Sequence, residues 1–132
     1  MVLRKAYASY QNQQVVDADP VKLIILLYDG AIRFIGLAKM KMQEGDAAQE
    51  GIFLMRAIHI ISHLCNVLNL ETGEDVATTL YQLYRYMQER LLVADKEKDP
   101  QGLDEVIALL SALKEGWEEL HKMSEQETVA KT

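Results

Sequence analysis

Residues 19–46 read DPVKLIILLYDGAIRFIGLAKMKMQEGD, and the punctuation of this stretch decides the fold. Asp19 before Pro20 is a helix start: aspartate accepts a bond from an otherwise unpaired amide, and proline at the first helical position lacks the amide that would go unpaired anyway. Asp29-Gly30 imitates a hairpin turn between two short apolar runs, 23–28 and 31–35. The 3.6-residue periodicity runs straight through it, however, so the pair is read as lying inside one helix. Glu44-Gly45-Asp46 closes that helix with a glycine and opens the next with an aspartate cap, Gln49 standing three residues on as in a capping box.

The same grammar recurs along the rest of the chain. Thr72-Gly73-Glu74-Asp75 supplies a threonine cap with a carboxylate three residues later, and Asp99-Pro100 repeats the start seen at Asp19-Pro20. No stretch alternates apolar and polar residues with period two. The expected fold is all-α: four helices of about 20 to 25 residues in an antiparallel up-down-up-down bundle. One domain spans residues 1–132, with a short N-terminal arm or cap helix over 1–18, the bundle over 19–123 and a flexible charged tail over 124–132.

Composition narrows the function classes. With 49% hydrophobic and 26% charged residues, the chain is far from the composition of disordered proteins. A net charge of −6 argues against nucleic acid and anionic membranes, which demand a concentrated basic surface. The longest apolar run, 23–28, is far short of the roughly 20 residues that cross a bilayer. A single cysteine, Cys65, cannot form an internal disulfide, and the first residues lack the apolar core of a secretory signal, so a cytoplasmic location is expected.

Helical wheels give each helix a core stripe. These are Ile24, Leu27, Ala31, Phe34, Ile35 and Ala38; Leu54, Ile58, Ile61, Cys65 and Leu68; Val76, Leu80, Leu83, Met87, Leu91 and Ala94; and Leu103, Val106, Leu110, Leu113, Trp117 and Leu120. Off these stripes lie Leu26, Ile32, Leu37, Ile60, Val67, Tyr81, Tyr86, Leu92 and Val93. Some widen the core, but monomers seldom leave large contiguous apolar patches in water. A guest helix laid in a groove, or a homodimer interface, is the physical means of covering them.

The strings Ala6-Tyr7-x-x-Tyr10, Leu26-Leu27-Tyr28-Asp29-Gly30-Ala31, Ala57-Ile58-x-Ile60-Ile61 and Leu83-Tyr84-x-Tyr86-Met87-x-x-Arg90-Leu91, with Trp117 beyond them, resemble the flagellar secretion chaperones, the FliS family. The resemblance runs from Ala6 to about Leu120. It implies a cytosolic four-helix bundle, not an enzyme and without a cofactor, that binds the C-terminal helical segment of flagellin, prevents premature polymerisation and assists delivery to the export gate. It also makes Tyr7 and Tyr10 anchors of an arm that takes part in binding. The expected partner-binding residues are therefore Tyr7, Tyr10, Leu26, Ile32, Leu37, Ile60, Val67, Tyr86 and Val93. Glu89 departs from the family pattern, where arginine is common, and Gln11-Asn12 falls in a variable part of the arm.

Other candidate chemistry is thin. His59 and His63 have the i, i+4 spacing of a zinc pair, but no glutamate lies between them and both fall on a polar face. Glu118-x-x-His121 is half of a di-iron motif with no second half. A metal-binding bundle enzyme is thus the remote alternative to a chaperone or a structural homodimer. Cys65 reads as a small buried hydrophobe, Asp29 as a solvated charge beside Lys22 and Arg33, and Gly30 as either a helix defect costing about 1 kcal/mol relative to alanine or, on balance, a place of close helix approach.

Overall fold

A computed structural model describes residues 20–68 and 75–131, with side chains over 21–68 and 75–126. Among the described residues four helices are formed: α1 (Pro20–Glu44), α2 (Ala47–Asn66), α3 (Asp75–Glu97) and α4 (Pro100–Lys131). Each packs against its neighbours in sequence, and α1 with α4 closes the ring. The caps expected at Asp19 and Thr72 lie outside the described residues. α4 continues through Ser124, where the sequence places the start of the tail, and no proline or glycine interrupts it between there and Lys131.

The two described turns share one construction. After α1, Gly45 takes φ 78°, while the Asp46 and Gly45 amides bond the carbonyls of Lys41 (2.9 Å) and Met42 (3.2 Å). This is a Schellman closure, and Asp46 then caps α2 by accepting from the Gln49 amide at 3.1 Å. After α3 the amides of Asp99 and Lys98 bond Ala94 and Asp95 in the same pattern, and Asp99 accepts from the Gln101 amide at 3.0 Å. Here Lys98, not glycine, occupies the left-handed position, with φ 54°. Its ammonium reaches Glu50 at 2.9 Å, a carboxylate buried in the first turn of α2.

The core differs from the wheels in a consistent way. Tyr28 is fully buried and Leu27 only half-buried; Ala57 and Leu64 are buried, whereas Ile58 and Cys65 are half-buried. Phe34 and Leu83 are likewise half-buried. Apolar residues surround most of α2, so periodicity alone leaves its rotation open, and its neighbours settle it. Tyr28 enters the core because its hydroxyl finds partners there: the Trp117 indole donates to it at 3.0 Å, and the Tyr84 hydroxyl lies 2.5 Å away. Burial above all, and then Tyr84, pushes the Tyr28 phenol well above its ordinary pKa. Gln88, also buried, donates to the Ile58 carbonyl and the Ser62 hydroxyl and accepts from Arg85, so no part of its amide is wasted.

Gly36 lies within α1, and a β-carbon added there would meet nothing within 4 Å. Gly36→Ala is therefore expected to raise stability by about 0.5 to 1 kcal/mol, chiefly by restricting the unfolded chain. Urea denaturation of the two proteins checks this, and a fall in stability would contradict the open space.

Candidate functional site

The ion pairs that fix the helices lie around the rim of the core. Lys39 meets Asp104 at 2.9 Å and Lys114 meets Asp29 at 2.6 Å, tying α1 to α4. Asp29 thus pairs across the bundle and not with Arg33 on its own helix, which corrects its reading as a solvated charge. Arg90 bridges Glu105 (3.0 Å) and Asp99 (3.3 Å), and the Tyr86 hydroxyl donates to the same Glu105. Those two donors hold the Glu105 carboxyl below its ordinary pKa.

Glu50 behaves oppositely. Burial first, then Asp95 beside it, push its carboxyl up, while Lys98 pulls it back. A carboxyl whose folded pKa is raised favours the folded state below the unfolded value and loses that contribution as pH rises through the folded value. The stability of the wild type relative to Glu50→Gln should therefore fall as pH rises above the ordinary glutamate range. Chemical denaturation at several pH values checks this; a difference that rises with pH would reverse the assignment.

On this frame the apolar surplus divides in two. Ile32, Ile60 and Val67 are half-buried and pack against the core, and Leu37 is half-buried. Leu26, Tyr81, Tyr86, Leu92 and Val93 are exposed, Leu26 by 63% and Leu92 by 53%, so much of each side chain faces water. The wheels missed Leu23, Met40, Ile52, Met55 and Met123, which are also exposed. On α1, Leu23, Leu26, Gly30, Arg33, Leu37 and Met40 follow one another at alternating steps of three and four, forming a row away from the core, with Gly30 at its edge towards α2. That spacing was readable in the sequence as a second stripe away from the core. At Gly30 a β-carbon would sit 3.2 Å from Ile60 Cδ1, the close approach of α1 to α2 that the glycine suggested.

The remaining candidates have ordinary environments. His59 and His63 are exposed, and His121 Nε2 lies 3.1 Å from Glu125. Among the described residues no group of His, Cys, Asp or Glu converges in a form that could hold a metal ion. Cys65 is half-buried, and burial pushes its thiol pKa up, away from reactive thiolate character. Glu89 is exposed, on the polar back of α3. Tyr7 and Tyr10 lie outside the described residues. No helix among them is long and apolar enough to cross a membrane.

Large apolar side chains kept in water on several helices, over a hydrogen-bonded and ion-paired frame, are a feature of helical bundles that hold other chains. Sequence comparison gives that class its particular form. The family model described as flagellar protein FliS matches residues 3–124, so the chain belongs to the FliS family, a family of flagellar secretion chaperones and not of enzymes. It is 39% identical over 127 residues to the flagellar secretion chaperone FliS of Salmonella typhimurium, covering 94% of both chains. It is 38% identical over 122 residues to FliSB of Pseudomonas aeruginosa, covering 89% of this chain and 97% of the relative. Over 125 residues it is 36% identical to FliS of Campylobacter jejuni, covering 95% of each.

Proposed function

We propose that this protein is a cytoplasmic export chaperone that binds the C-terminal helical segment of flagellin, keeps it from polymerising prematurely and assists its delivery to the flagellar export gate. The observation that carries this reading is the exposed apolar surface on several helices of a chain belonging to a secretion-chaperone family. A client segment that folds as it binds needs extended apolar grooves, because ordering it offsets about 2 to 5 kcal/mol of the contact energy. The exposed Leu26, Tyr86 and Val93 offer contact directly. Ile32, Leu37, Ile60 and Val67 would form the floors of grooves, with Tyr7 and Tyr10 of the arm adding aromatic contact.

Calorimetric titration with the C-terminal segment of the flagellin encoded in the same genome tests the proposal. Saturable binding that makes the segment helical is expected, and Leu26→Glu and Leu92→Glu should each weaken it about tenfold, or about 1.4 kcal/mol, with unchanged circular dichroism. A tight homodimer that neither binds the segment nor dissociates in its presence would instead make the exposed residues a self-association surface.

A further inference from the structure

The carboxylates of α1 and α2 are all engaged: Asp29 with Lys114, Glu44 with Lys41, Asp46 with the Gln49 amide and Glu50 with Lys98. Arg33 and Arg56 share in none of this. Their partners are aromatic. Arg33 Cζ lies 5.0 Å from the centre of the Phe34 ring, and Arg56 Cζ lies 5.7 Å from that ring and 5.8 Å from Phe53. The two rings stack 6.1 Å apart at 22°. Both arginines are exposed and both rings half-buried. A guanidinium held over a ring keeps its in-plane N–H groups available to a carboxylate, and loses little rotamer freedom when one arrives.

Charge is also divided between the halves of the bundle. Residues 20–68 hold five Lys and Arg against four Asp and Glu, whereas residues 75–126 hold six against eleven. Within a chain of net charge −6, the α1–α2 face thus presents two arginines that meet no carboxylate among the described residues, and it does so beside exposed apolar residues. Arg33 stands in the outward row of α1 between Leu26 and Leu37, and Ile52 is exposed on α2 one turn before Arg56.

We infer that this face is a docking surface for an acidic amphipathic helix of another protein, one that carries two carboxylates a turn apart along the edge of an apolar stripe. The apolar stripe covers Leu26, Leu37 and Ile52, and the carboxylates meet Arg33 and Arg56. Side chains one helical turn apart have β-carbons about 5 to 6 Å from each other, and the length of two glutamate side chains lets them reach guanidiniums that stand 5.0 and 5.7 Å from one ring centre. Like charges on a second cationic helix are repelled by the same arrangement, so the face selects by sign as well as by shape.

The test uses the full chain and three synthetic helical peptides of about 20 residues with one leucine stripe, flanked by i, i+4 glutamates, glutamines or lysines. In calorimetry at low salt, the glutamate peptide should bind about five- to tenfold more tightly than the glutamine peptide, with the lysine peptide weakest. That preference should vanish in about 0.5 M NaCl, at a Debye length of about 4 Å, and in Arg33→Gln/Arg56→Gln, but persist in Arg33→Lys/Arg56→Lys. Circular dichroism and thermal melts of both variants confirm the fold. Equal binding of the three peptides, no binding of any, or a preference unchanged in the glutamine variant overturns the inference. So does a concentration-dependent dimer in sedimentation that the glutamine variant abolishes, since a second copy would then be the occupant. Leu26 and Leu37 belong also to the proposed client surface, so the flagellin segment is titrated separately, against wild type and Arg33→Gln/Arg56→Gln, and failure of the export reading is distinguishable from failure of this one.

Discussion

Trp117→Ala is expected to lower the unfolding free energy by about 3 to 5 kcal/mol, a large part of the roughly 5 to 15 kcal/mol typical of a domain. Trp117 is fully buried, and its indole is the donor that lets the Tyr28 hydroxyl sit in the core. Removing it leaves a cavity among α1, α3 and α4 and strips one partner from the Tyr28–Tyr84 pair. Trp117→Phe retains most of the ring volume and should cost less, which separates packing from the hydrogen bond. Urea denaturation followed by far-ultraviolet circular dichroism is the appropriate measurement, because the variants lack the only tryptophan. A loss below about 1 kcal/mol for the alanine variant would place Trp117 outside the core.

Gly102→Ala should also destabilise, by about 1 to 3 kcal/mol, although alanine is the better helix former by about 1 kcal/mol. A β-carbon at Gly102 would stand 2.8 Å from both Ala94 Cβ and Arg90 Nη1 and 2.9 Å from Arg90 Cζ. The Ala94 β-carbon is fixed to the backbone in the core and cannot swing aside; Arg90 can move only by giving up Glu105 or Asp99. Thermal melts should show a lower midpoint, and a crystal structure of the variant should show α3 and α4 further apart at this point. An unchanged midpoint would mean that the turn yields more readily than its contacts suggest. The contrast with Gly36→Ala is informative, since the same substitution is expected to act with opposite sign at a glycine facing open space.

Much of this frame is legible from the chain alone. Helix starts at Pro20, Ala47 and Pro100, the glycine at Gly45, and most of the buried stripes of α3 and α4 follow from capping chemistry and period. The candidate site was partly legible. Leu26, Tyr86, Leu92 and Val93 lie off every core stripe and are exposed, whereas Ile32, Ile60 and Val67 lie off the centre and pack against the core. A wheel gives the direction of a side chain but not the breadth of the neighbour that meets it, and on that breadth these two groups divide.

The chain alone dictated the four helices of the described residues and their class, because caps, prolines and a 3.6-residue period act within a few residues of one another, and its motifs carried the family. It also determined that apolar surface exceeds one core. Tertiary structure alone decided which polar groups are buried: Tyr28 beside Tyr84 and Trp117, Gln88 beside Ser62, Glu50 beside Lys98. It alone paired Asp29 with Lys114 and set two arginines over one phenylalanine. Apart from Arg33 and its neighbour Phe34, each of these contacts joins residues on different helices or on a helix and a turn, and a buried polar or charged group is tolerable only when such a partner is in place, which no local pattern records.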